Sequence, residues 1–201
     1  EIKSMPLKER AESYYSNLSN MLGKIQTTQK NGDSLEFFAA IESAGQLVTS
    51  QTKAGGKIMF IGNGASASIA SHMSTDYWKN GDMRAIAFND AALLTCLSND
   101  CGYENVFGKS VEMFADEGDI LVAISSSGQS ESILNGVRAA KKLGVHVVTL
   151  SGFSLDNQLR RMGEINFYVP DSAYGPVEIL HLSVCHCILD IIIMDRDDRT
   201  D

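Results

Sequence analysis

The stretch IMFIGNGASASIASHMSTDYWK, Ile58 to Lys79, changes character twice within a few residues. It opens on an apolar run of strand length, breaks at Gly62-Asn63-Gly64, then turns small and polar on the way to His72 and Asp76. A buried strand, a glycine turn and a helix read in that order. Such a unit aims backbone N–H groups and the positive end of a helix dipole at one spot beyond the strand. His72 and Asp76 are four apart and so share one helical face. That spacing suits joint metal ligation or a His–carboxylate hydrogen bond.

The same design recurs in DILVAIS-SSGQS-ESILNGV, Asp119 to Val137. Here Ser125, Ser126, Ser127 and Ser130 surround Gly128, a neutral and compact cradle suited to a phosphate monoester. Neither turn carries the Lys-Ser/Thr pair of a Walker A loop or the GxGxxG fingerprint, which argues against a nucleoside triphosphate or a dinucleotide.

Outward from these units, five short apolar runs follow one another: KIMFIG, AIAF, DILVAIS, HVVTLSG and INFYVP. The last four are each separated from the run before by a helix-compatible segment, and runs apolar on both faces suit parallel strands covered on both sides. Upstream, Leu18, Met21, Leu22 and Ile25 recur at helical spacing, as do Leu35, Phe38, Ile41, Ala44, Leu47 and Val48. The KNGDS stretch, Lys30 to Ser34, divides these two helices, with Asp33 or Ser34 as the expected N-cap. The predicted fold class is α/β: a three-layer α/β/α sandwich with a central, mostly parallel five-stranded sheet over residues 55–201. An N-terminal helical hairpin over residues 1–54 is expected to pack on the core and in an oligomer. The apolar segment from about Pro176 to Met194 reads as a buried helix, partly at a subunit interface. It carries Glu178, His181 and His186, and at about 100° per residue the two histidines lie on opposite flanks of Glu178. All three therefore cannot point at one atom.

With 201 residues, 44% hydrophobic and 21% charged, the chain is sized for one domain with a full core. A net charge of −8 argues against a nucleic-acid partner. No run is expected to reach membrane-spanning length. The N-terminal stretch EIKSMPLKERAESYY lacks the apolar core of a secretory signal. Cys96, Cys101, Cys185 and Cys187 lie in largely apolar surroundings without zinc-finger spacing, and are expected as reduced thiols in a cytoplasmic protein.

Taken in order, GNGAS (Gly62 to Ser66), His72 with an acid four on, AIAFND, LSNDCGYENVF (Leu97 to Phe107), ISSSGQS (Ile124 to Ser130) and VEILHLSVCH (Val177 to His186) carry a resemblance. The chain resembles the sugar isomerase (SIS) domain proteins, and among them the phosphoheptose isomerases, over nearly its whole length. The resemblance implies a homotetramer with active sites between subunits. It implies conversion of a phosphorylated ketose, sedoheptulose 7-phosphate, to the aldose D-glycero-D-manno-heptose 7-phosphate through an enediol. By motif match Ser125, Ser126, Ser127 and Ser130 would hold the phosphate, and Asn63, Gly64, Ala65, Asn99, Asp100 and Glu178 would line the sugar site. Asp76 and His186 match the catalytic pair, and His72, Asp76, Glu178 and His186 match the zinc ligands where the family holds zinc. Three positions depart from the family pattern: Asp76 replaces a glutamate, Glu178 a glutamine, and Ala65 a glycine. Lys79 stands near the place of a basic residue that follows the acid. A non-catalytic phosphosugar-binding or replication-initiator-binding regulator, and an isomerase of another sugar phosphate, are the competing readings.

Overall fold

The computed structural model describes residues 5–199, so the first four residues of the N-terminal stretch and the last two of the chain lie outside the described residues. Helix α1 (Leu7–Leu22) is followed by strands β1 (Gln26–Gln29) and β2 (Ser34–Leu35), then by α2 (Phe37–Lys53). The alternating part runs β3 (Ile58–Gly62), α3 (Ala65–Lys79), β4 (Ala85–Ala87), α4 (Ala91–Cys101), α5 (Val106–Phe114), β5 (Ile120–Ser125), α6 (Glu131–Lys142), β6 (His146–Ser151), β7 (Ile165–Tyr168) and α7 (Tyr174–Asp198).

Alternation along the strands builds the three layers. Ile58 and Phe60 on β3, with Ile120, Val122 and Ile124 on β5, face one core that contains α2, α3 and α7. Met59, Ile61, Leu121 and Ala123 point the other way, into a second core with α5 and α6. Every residue of β3 and β5 is buried, which is why both read as unbroken apolar runs.

The five expected strands are all present and parallel, in the order β7-β6-β5-β3-β4. Between β6 and β7, however, residues 152–164 hold no α-helix, only a 3-10 turn at Leu159–Arg161. The order reverses at one place. From β3 the chain steps outward to β4, then β5 returns to the other side of β3 and the sheet grows toward β7. The crevice at the carboxyl ends of β3 and β5 is therefore the topological switch point, where open α/β sheets take their ligands.

The N-terminal segment corrects the expectation of a simple helical hairpin. Its two helices exist, but α1 ends at Leu22, and Ile25 and Leu35 belong to the β1–β2 region rather than to helices. Strand β1 pairs antiparallel with β7, from Gln26 against Tyr168 to Gln29 against Ile165, so the complete sheet has seven strands. KNGDS is the turn of this β-hairpin, and the cap of α2 is Glu36, whose carboxylate accepts from the Ala39 N–H, not Asp33 or Ser34. The physical reason is the open edge of β7: its backbone groups need partners, and the polar QTTQ segment supplies them without any apolar pattern of its own.

Helix α7 outruns its expected bounds at both ends. Its 25 residues are long and apolar enough to cross a membrane by length and composition, contrary to the expectation drawn from the sequence. In the fold it packs against α2, α3 and β6 and buries Val177, Leu180, His181, Val184, Cys185, Ile188 and Leu189. The cysteines are free, and only Cys185 is fully a core thiol; Cys96 is exposed.

Candidate active site

At the end of β3, Gly62 packs directly on the backbone of Ser66, so close that a Cβ would collide with it. Gly64 then adopts φ 56° and ψ −124°, a conformation open to glycine, and lets α3 start at once. Between them Asn63 is fixed from two sides. Its amide donates to the Ser132 hydroxyl at 3.0 Å, and its carbonyl accepts from the Tyr103 hydroxyl at 2.6 Å.

The serine loop leaves the neighbouring strand β5. The Gly128 N–H donates to the Ser125 carbonyl at 3.1 Å and lies 3.2 Å from its hydroxyl, and Gln129 N–H donates to the Ser127 hydroxyl at 3.2 Å. Ser130 occupies the N-cap of α6 without capping it, and its hydroxyl, on the cleft lining, accepts from the Ser125 hydroxyl at 3.4 Å. The Ser126 hydroxyl is buried and has no partner. A buried hydroxyl without a hydrogen bond is costly, and a ligand oxygen would supply the missing one.

The loop is buttressed from behind by Asn157, which is fully buried. Its amide donates to Ser151 Oγ, the Gly152 carbonyl and the Ser154 carbonyl, and its Oδ1 accepts from Arg160 N–H. Leu159 N–H donates to the Gly128 carbonyl at 3.0 Å. Gly128 has φ +61° and touches Asn157 so closely that no side chain fits there.

The two turns enclose a cleft of about 250 Å³, lined by Asn63, Gly64, Ala65, Ser66, Ser125, Ser126, Ser127, Ser130, Tyr174 and Glu178. Helices α3 and α6 both start at this cleft, so two sets of unpaired N–H groups favour an anion there. Glu178 is its one carboxylate.

A second constellation joins α3 to α7. His72 Nε2 lies 3.3 Å from Asp76 Oδ2 and 3.3 Å from His186 Nε2. Among the described residues these three form the metal-capable group, with ligand atoms within 4.8 Å of one another. Two ligand atoms on a tetrahedral zinc, each about 2.0–2.1 Å from the ion, stand about 3.3 Å apart, so the spacing and the nitrogen–oxygen donor set fit such an ion. Three protein ligands also leave a coordination position open, as catalytic sites do. Asp76 is the more sheltered partner, at 18% side-chain exposure against 52% for His72.

Helix α7 sends Glu178, His186 and His181 to three different places. Glu178 lines the serine cleft, apart from the His72–Asp76–His186 group of the same chain. His186 meets His72. His181 is buried and bonds the Ser151 carbonyl through Nε2 at 3.0 Å. Glu178 and His186 are eight positions apart, or about 12 Å along the helix axis and about 80° around it. Asn99 and Asp100, at the exposed end of α4, lie outside the cleft lining, their side chains bonded to each other at 2.7 Å. Lys79 is exposed in the last turn of α3. Sequence reading missed Ser66, Tyr174, Tyr103, Ser132 and Asn157. Ser66 and Ser132 lay within quoted motifs, whereas Asn157 sits in a loop without any pattern to mark it.

The SIS domain family model matches residues 13–152. A phosphoheptose isomerase of Sodalis glossinidius is 33% identical over 186 residues, covering 89% of this chain and 95% of the relative. One from Proteus mirabilis is 36% identical over 159 residues, covering 76% and 82%. Among solved structures, the phosphoheptose isomerase of Neisseria gonorrhoeae superposes with a TM-score of 0.82 at 27% identity, over 93% of this chain and 99% of its own. That of Francisella tularensis does so with a TM-score of 0.82 at 29% identity, over 94% and 98%. By sequence and by fold, the chain belongs to the SIS-domain family and within it to the phosphoheptose isomerases.

Proposed function

We propose that the protein is an aldose–ketose isomerase that converts sedoheptulose 7-phosphate to D-glycero-D-manno-heptose 7-phosphate. The observation that carries this reading is the pairing, in one chain, of a serine-lined anion cleft with a carboxylate–imidazole cluster reached along the same helix, α7. The phosphoryl group binds Ser125, Ser126, Ser127 and Ser130, and fills the open valence of the Ser126 hydroxyl. Asn63, Gly64, Ala65 and Glu178 contact the sugar. Anchoring the phosphate far from the reacting carbons lets its binding energy orient C1 and C2. The carbonyl end then reaches Asp76 and His186. One takes the proton from the carbon beside the carbonyl while the other protonates the carbonyl oxygen, and the resulting enediol collapses with the two roles reversed. Protons are exchanged and none is gained or lost.

His72, Asp76 and His186 are the residues that would hold zinc. When bound, zinc supplies Lewis-acid polarisation of the carbonyl and its neighbouring hydroxyl. Glu178 adds a negative charge in the serine cleft, beside the sugar. A homotetramer with sites between subunits belongs to this reading. It is supported by α1, which has no buried residue and exposes Leu7, Tyr15 and Leu22 in the single chain, and by exposed Ile179 and Met194 on α7. Asn99 and Asp100 enter only through such assembly. Four free cysteines are consistent with a reducing, cytoplasmic setting.

The test is incubation of the purified protein with sedoheptulose 7-phosphate, with and without zinc, reading formation of the aldose phosphate. Turnover by the native protein, and its loss by at least about a hundredfold in His186→Ala at unchanged assembly, is the expected result. If sugar phosphates raise the melting temperature while no aldose appears under either condition, the protein binds phosphosugars without converting them.

A further inference from the structure

Residues 152–161, which buttress the serine loop through Asn157 and Leu159, also wall a second and larger cleft of about 530 Å³. The opposite wall is β1 and the turn after it. The charged side chains lining this cleft are Lys30, Arg160 and Arg161, all cations, in a chain of net charge −8. Acids around it are engaged: Asp33 accepts from the Asn31 amide at 2.7 Å, Asp156 accepts from Ser154 and feels Arg161, and Glu164, which lines a neighbouring cleft with Lys30, lies 3.1 Å from His146 Nδ1.

Arg160 is built in rather than loose. Its guanidinium donates to the Leu155 carbonyl at 3.0 Å and to Gln26 Oε1 at 2.7 Å, and it lies 4.1 Å over the Tyr168 ring. Burial and the adjacent Arg161 both disfavour its charge, against some help from Tyr168. A fixed Arg160 with exposed Arg161 beside it at one wall, and Lys30 across the cleft, make a site whose own electrostatics ask for an anion. A guanidinium presents planar paired donors that match phosphate oxygens. The cleft is larger than inorganic phosphate needs and accommodates an organic phosphate with a polar body against Thr28 and Gln29.

We propose that this basic cleft is a second binding site, separate from the serine cleft, for an organic phosphate of nucleotide size. Its occupant would bridge the β1–β2 turn and the segment behind Gly128, and so brace the loop that forms the first site. The inference does not depend on the reaction assigned above.

Isothermal titration of the full chain with adenosine diphosphate tests it in low salt, where such contacts are strongest. The expected result is saturable binding that weakens at least about tenfold in Lys30→Glu/Arg161→Glu and persists in Ser127→Ala/Ser130→Ala. Lys30 and Arg161 are exposed, and an unchanged melting curve confirms that the charge-reversed chain folds. Absence of saturable binding overturns the proposal. So does binding that survives charge reversal, and so does binding that needs the serines.

Discussion

His181, five positions before His186 on α7, is completely buried, and its ring donates to the Ser151 carbonyl while Nδ1 has no partner. Burial lowers its pKa from 6.5 to about 4, outweighing the carbonyl hydrogen bond that favours the charged form. The unfolded chain therefore binds a proton more readily than the folded one between these two values. The stability that neutral His181 contributes is complete above pH 6.5 and is lost as the pH falls toward 4. The loss runs at up to about 1.4 kcal/mol per pH unit. Urea unfolding at pH 7.5 and pH 5 should show this loss in the native protein and a flatter dependence in His181→Gln; equal dependence in both would refute the assignment. His72 and His186, by contrast, meet at the surface of the α3–α7 contact. Zinc at a hundredfold excess over its Kd should stabilise the native protein by about 2.7 kcal/mol. His72→Ala should lose that gain, read as the shift in melting temperature, and a shift retained in the variant would place the metal elsewhere. The pairing of His72 with Asp76 was legible in the sequence because i and i+4 share a helix face. The pairing of His72 with His186 came only through the family resemblance, since 114 residues separate them and no local spacing joins them.

Among the elements, the strand–turn–helix units were read correctly because their chemistry is local. A run apolar on both faces, a glycine where the backbone must turn, and a helix start directly after it are each fixed within a few residues. Gly128 shows how tightly the second unit depends on its neighbour. Its φ of +61° costs a side-chain-bearing residue about 1–2 kcal/mol, and a methyl there would also press on the buried Asn157 amide. Gly128→Ala should therefore lower stability by more than about 2 kcal/mol and weaken phosphate-ester binding at the serine cleft. Calorimetric unfolding and titration with a sugar phosphate would check both, and wild-type affinity in the variant would mean that the loop does not need this geometry. The β1–β2 hairpin was misread for the opposite reason. Ser34-Leu35 and Gln26–Gln29 are strands only because β7 offers an unpaired edge, and Leu18, Met21, Leu22 and Ile25 keep a helical period past the point where the helix stops.

At the scale of the whole molecule, the N-terminal segment is part of the sheet rather than an appendage to it. Ile25 on the approach to β1, and Ala40, Ile41, Ala44 and Val48 from α2, enter the same core as Phe167. Removing residues 1–35 would leave β7 as a bare edge above this core, a template for non-native strand pairing. The shortened chain is expected to aggregate or to lose cooperative unfolding, read by size-exclusion chromatography and calorimetry. A monodisperse species with a sharp transition would show that β1 is dispensable. The sequence by itself determined the layered α/β class, the five parallel strands, the two anion-directed turns and the shared face of His72 and Asp76. Each follows from periodicity or from backbone restrictions that act over a few residues. Only the tertiary structure decided that β1 closes the sheet, that Glu178 faces the serines while His186 faces His72, and that Asn157 stands behind Gly128. These depend on which surfaces come together when two cores are buried at once, and contacts between distant segments leave no period in the chain that makes them.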